Sequence, residues 1–187
     1  MCLYYNKKNK THGWHVAKED IVCYKVLQVY KRDTEFFGSV YEYSTPYFNM
    51  PVRLGETYNN TEGVFETDAD DKYFVSLGFY DDEAKKVTGG VYHSFSQVSN
   101  AKWLCDYRLG QTLIPGGFIV VKCIIPKGAE FVFGYDGYGC PCFGSKTLTI
   151  TNEVLVIQDS GRPGFLEGLK GEYPDAEYWE RNPCGLR

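Results

Sequence analysis

Gly89-Gly90-Val91-Tyr92-His93-Ser94-Phe95-Ser96 is the stretch whose reading decides the fold class. The double glycine releases a strand that carries Tyr92 and Phe95, with His93 and two hydroxyls among them. A helical pattern follows at once. Ser96 suits an N-cap, and Val98, Ala101, Cys105 and Leu109 recur at helical spacing, so a helix of about 96–109 is expected. It is the one clear helix in the chain.

The remaining periodic segments read as strands. Ile21 to Tyr30 alternates, with Val22, Tyr24 and Val26 on one face and Cys23, Lys25, Leu27 and Val29 on the other. Lys25 is the lone charge in that run; it points to solvent or lines a cleft that meets an anion. Phe118 to Ile125, between Pro115-Gly116-Gly117 and Pro126-Lys127-Gly128, is the most apolar strand and reads as central. Phe36–Ser44, Tyr73–Tyr80, Glu130–Gly134, Lys146–Thr151 and Glu153–Ile157 complete the set. Seven or eight strands with one helix define an α+β, β-dominated domain built on a twisted, mostly antiparallel sheet.

The whole chain supports this class. Its 187 residues suit one domain with appendages, and 16 Tyr and 12 Phe favour pleated, half-buried surfaces. The expected organisation is an N-terminal arm over 1–20, a single domain over 21–157 with an insertion at 56–88, and a C-terminal tail over 158–187. Within these, 81–86 reads as a charged loop or helical turn. Residues 134–145 read as a loose glycine-rich loop, and Asp175–Arg181 as a short helix.

Charge and motifs exclude several classes. A net charge of −4 without a basic block argues against nucleic-acid binding. No apolar run is long enough for a membrane helix. Seven irregularly spaced Cys behind a polar N-terminus suit reduced thiols in a cytoplasmic protein. There is no phosphate loop, no G-x-G-x-x-G after a strand and no H-E-x-x-H. His12 and His15 have no acidic or thiol partner at motif spacing, and Cys140-Pro141-Cys142 is a single ligand pair, so no metal site is expected.

His93 is the only histidine outside the first 20 residues. Imidazole beside hydroxyls and aromatic rings suits a planar, nucleotide-like ligand, although a hydrogen-bonded strand histidine satisfies the same pattern. A Ser–His nucleophile pair is not expected, because adjacent strand residues face opposite ways.

Tyr24-Lys25-Val26-Leu27, Gly90-Val91-Tyr92-His93-Ser94-Phe95, Val121 to Ala129 and Ser145 to Ile150 together resemble small uncharacterised proteins of bacteriophages and gut bacteria. That resemblance implies a phage or prophage setting and no established activity. The order Tyr24-Lys25, then Tyr92 to Ser96, then Ile125 to Ala129 followed by Asn152-Glu153-Val154-Leu155 also resembles ADP-ribosyltransferases. In that family three such strands line an NAD cleft. Lys25 stands where that family has Arg, and Thr151 where it has the first Glu or Gln. Glu153 alone matches the catalytic glutamate, which would stabilise an oxocarbenium-like transition state.

The expected function is therefore a phage-type cytoplasmic binding protein without a cofactor. It would take a nucleotide-like signal or a host protein, in a counter-defence role, in a cleft formed by Tyr24, Lys25, Tyr92, His93, Ser94 and Phe95. The alternatives are an NAD-dependent ADP-ribosyltransferase using Glu153, and a virion structural or accessory protein.

Overall fold

Alternation of apolar and polar residues carries most of this chain into strands, and glycines set where strands approach closely. The computed structural model describes residues 3–7, 9–34, 38–46, 49–69, 84–109, 117–159 and 166–180. Among them the strands, in chain order, are β1 (Leu3–Asn6), β2 (Gly13–Val16), β3 (Ile21–Thr34), β4 (Gly38–Ser44) and β5 (Pro51–Val52). Next come β6 (Thr57–Asn59), β7 (Phe65–Asp68), β8 (Ala84–Gly89) and β9 (Tyr92–Phe95). Then follow β10 (Gly117–Ile125), β11 (Glu130–Asp136), β12 (Pro141–Ser145), β13 (Thr147–Asp159) and β14 (Glu177–Glu180). The helices are α1 (Val98–Leu109) and α2 (Glu167–Glu172). The protein is α+β and β-dominated, built on antiparallel sheet, with β14 added to β13 in parallel.

The chain divides into two compact units. The first comprises Met1–Tyr24, Thr57–Asn100 and Cys123–Thr149; the second comprises Lys25–Glu56, Ala101–Lys122 and Ile150–Arg187.

In the first unit the strand order is β9-β12-β11-β1-β8-β7, with β2 also against β11 and β6 against the start of β13. The expected N-terminal arm is part of this sheet. Leu3, Tyr4 and Tyr5 are buried, and β1 is hydrogen-bonded on both sides, by β11 and by β8. Three consecutive large apolar side chains gain roughly 1.5–3 kcal/mol each on full burial, which holds even a four-residue strand in place. The expected insertion likewise contributes β6, β7 and β8 to the sheet. Ala84–Gly89 is a strand where the charges suggested a loop or helical turn. The strand expected at Tyr73–Tyr80 lies outside the described residues.

The glycine-rich segment 134–145 is a hairpin, β11–β12, closed by Asp136. Its Oδ1 accepts N–H bonds from Tyr138 and Cys140, both at 2.9 Å, and its own backbone N–H donates to Cys140 O at 3.0 Å. A side-chain acceptor that organises the turn this way explains order where composition suggested looseness.

In the second unit β14-β13-β10-β3 lie in sequence, with β4 on β3 and β5 on β4. β10 sits between β13 and β3, as its mostly apolar run implies. Lys25 is only 8% exposed, so the solvent-facing reading of this lysine is corrected; it is held among the buried side chains of β3. Helix α1 begins at Val98, two residues later than expected, and the Ser96 hydroxyl donates to Pro141 O at 3.2 Å. Among its described side chains, Ala101, Leu104 and Cys105 are buried. The expected tail is anchored by buried Leu166 and Leu169 and by β14, which pairs β13 in parallel where a short helix was expected. Asp159 ties these together, accepting from Leu166 N–H at 3.1 Å and from the Tyr178 hydroxyl at 3.0 Å.

Candidate functional site

The residues singled out on β9 are built into the sheet. β9 pairs β12 on one side, with His93 opposite Gly144 and Ser94 opposite Phe143, and Phe95 stands opposite Tyr24 of β3 on the other. Ser94 and Phe95 are each 1% exposed, so they face the interior and do not line an open cleft. Tyr92 and His93 are half-buried. The Tyr92 ring lies 6.1 Å from that of Tyr58, and burial, then the charge of Glu62, raises its phenol above the ordinary range. Lys25 belongs to the second unit and is buried there. Glu153, also in the second unit, is half-exposed on β13 and accepts a 2.8 Å ion pair from Lys122 Nζ. Its neighbour Thr151 donates through Oγ1 to Lys122 O, also at 2.8 Å.

The first unit carries a different concavity, a groove of about 520 Å³ lined by Trp14, His15, Val16, Val64, Glu66, Glu130 and Lys146. Strand register assembles one end of it. Val16 stands opposite Glu130, and Lys146 N–H donates to Glu130 O at 3.0 Å, so three strand ends meet side by side. The Lys146 ammonium forms an ion pair with Glu130 Oε2 and stands 6.0 Å from the centroid of the Trp14 ring.

The other wall is segment 62–66. Gly90 makes it possible: at φ +76° it lies so near that a Cβ would stand 2.3 Å from Gly63 O and 2.7 Å from Val64 Cα. Only glycine tolerates both the backbone angle and the approach. Thr88 Oγ1 adds a bond to Phe65 O at 3.2 Å, and Asn60 N–H one to Lys146 O at 2.8 Å. The double glycine of the Gly89–Ser96 stretch therefore shapes this groove through its backbone, while the side chains after it are buried or half-buried.

Glu66 is fixed at the groove. Its Oε2 accepts from the Tyr5 hydroxyl at 2.9 Å and from the Trp14 indole N–H at 3.1 Å. Its Oε1 has no hydrogen-bond partner among the described residues. Burial first, and then the bond and charge of Glu66, push the Tyr5 phenol far above its usual range, so Tyr5 remains a donor at all physiological pH values. His15 packs its ring 5.5 Å from that of Phe131, and its Nε2 is buried without a hydrogen-bond partner among the described residues. His12 stacks edge-on against Phe133 and Tyr135, and burial, then His15, lowers its basicity.

Among the described residues no three His, Cys, Asp or Glu side chains are placed to hold a metal ion, and no helix is long and apolar enough to cross a membrane. Cys140 and Cys142 are free thiols raised by burial; Cys140 lies at about 11, so neither is a ready nucleophile at neutral pH. The groove residues escaped the sequence reading because Trp14 and Glu66 are 52 positions apart. The one local signal was His12-Gly13-Trp14-His15, where an aromatic and two imidazoles flank a glycine with φ +92°.

Comparison with known protein families, with curated proteins and with solved structures found no match.

Proposed function

We propose that this protein is a non-catalytic binding domain for a small organic ligand, seated in the groove of the first unit. The observation that carries the reading is the Glu66 carboxylate, pinned by Tyr5 and Trp14 at a mixed apolar and charged groove. Such grooves, with a few fixed polar groups among apolar and aromatic walls, are the usual form of a ligand site. Pinning a carboxylate before a ligand arrives also reduces the ordering cost of binding. The phage setting implied by the sequence resemblance belongs to this proposal, as does a cytoplasmic location, which the thiols of Cys105, Cys140 and Cys142 suit.

Native mass spectrometry of the chain purified under gentle conditions tests the reading. A retained small molecule is expected, with occupancy lost in Trp14→Ala. A wild-type chain that carries no adduct, and whose Trp14 indole N–H resonance does not move on titration with a small-molecule extract of host cells, overturns it.

A further inference from the structure

The charges at the groove say what kind of ligand suits it. Of the lining residues, Glu66 and Glu130 are negative and Lys146 is positive, leaving one net negative charge. Lys146, the cation among them, is already committed to Glu130 and to the Trp14 ring face. A phosphate or carboxylate ligand would therefore meet two carboxylates and a lysine that is already paired. Glu66 presents the opposite chemistry. Two donors hold Oε2 in place, and Oε1 is left as a charged acceptor beside an indole. A fixed carboxylate at the N–H edge of an indole, whose ring face is electron-rich, suits an ammonium or guanidinium group.

Resting on the groove reading above, we infer that the ligand is an organic cation whose alkylammonium or alkylguanidinium head is bound by Glu66 Oε1, with its alkyl stem against Trp14 and Val64. Lys146 then acts as a competitor: it holds Glu130 and the indole face that the ligand's positive charge would otherwise use. That role gives the inference a sign that neutral or anionic ligands do not share. Removing Lys146 raises the negative charge of the groove, frees Glu130, and strengthens cation binding.

The test follows the Trp14 indole N–H resonance of the full chain during titration with agmatine, with spermidine, with the peptide acetyl-Gly-Arg-Gly-amide, with glucose and with inorganic phosphate. Agmatine is expected to shift this resonance and to bind about tenfold more weakly in Glu66→Gln, which keeps shape and removes charge. Lys146→Met is expected to tighten agmatine by about threefold or more, and raising salt from about 50 to 300 mM to weaken it. Glu19→Gln, exposed and outside the groove, controls for general charge effects. Tighter binding of the peptide than of agmatine and spermidine assigns the cation to a protein side chain, and the reverse assigns it to a free amine; either supports the inference. Weaker agmatine binding in Lys146→Met, or unchanged binding in Glu66→Gln, overturns it. A Trp14 shift with glucose or phosphate but not with agmatine overturns the cation inference while leaving the groove reading standing. Silence from all five probes overturns the cation inference, and joined to the absence of any retained ligand it removes the groove reading as well.

Discussion

Gly134 of β11 lies so close to the backbone of β1 that a Cβ placed on it would stand 2.1 Å from Tyr4 O. The contact is backbone against glycine, so no rotamer change relieves it. Gly134→Ala must push β1 away from β11, and with it Leu3, Tyr4 and Tyr5, whose burial holds the N-terminal strand in the sheet. A loss of about 3 kcal/mol is expected. Chemical denaturation measures it, and an unchanged midpoint would contradict the packing described for β1.

The same strand shows how far the sequence could be read. Runs of hydrophobic residues long enough to show a period, as in β3 and β10, identified themselves, and β10 was correctly placed as an interior strand. Leu3-Tyr4-Tyr5 is too short to show a period, and polar residues follow it, so it reads as an arm or an edge strand. The 134–145 hairpin was hidden because its order comes from one aspartate and from close backbone contact, which glycine content disguises as looseness. Burial of Ser94 and Phe95 was illegible because alternation tells which residues share a face and not whether that face is covered. The groove depends on contacts such as Trp14 with Glu66, which no local pattern encodes.

Tyr5 gives an alkaline prediction. Its folded-state phenol is raised, first by burial and then by Glu66, and Tyr43 is raised by burial in the same way. In the unfolded chain both ionise near pH 10 while the folded chain keeps the protons, so the folded form binds more protons there and stability falls as pH rises above about 10. Tyr5→Phe is expected to release about one proton fewer on unfolding in that range. The slope of unfolding free energy against pH, measured for both chains, checks this; equal slopes would show that Tyr5 is not held as a neutral donor.

Asp136 predicts a trend on the acidic side. Burial raises its carboxyl above the usual range despite two N–H bonds to Oδ1, and Oδ2 has no hydrogen-bond partner among the described residues. A raised folded-state value means that its contribution is full below the unfolded value and is lost as pH climbs through the folded one. Asp136→Asn keeps the Oδ1 acceptor and removes the titration. Its stability is expected to match or exceed that of the wild type at pH 7 and to lack the increment the wild type gains on mild acidification. Asp136→Ala, which removes the acceptor from both N–H groups, is expected to lose about 2 kcal/mol. Thermal unfolding of the three chains across pH 4 to 7 separates these outcomes.

Glu153 separates the binding-domain reading from the transferase alternative. Its carboxylate is half-exposed and paired to Lys122 at 2.8 Å, and an exposed pair of this kind contributes under about 1 kcal/mol. Glu153→Gln is therefore expected to fold as the wild type does, so any lost activity would report chemistry and not stability. A binding domain leaves labelled NAD unreacted in the presence of a bacterial lysate, with wild-type and Glu153→Gln chains alike. Label that transfers with the wild type and disappears with Glu153→Gln would assign Glu153 the role of a transferase glutamate. The ion pair itself gives a second readout. A glutamate that must reach a ribose hydroxyl has to leave Lys122, so under the transferase reading Lys122→Met would raise transfer, whereas for a binding domain it changes only surface charge.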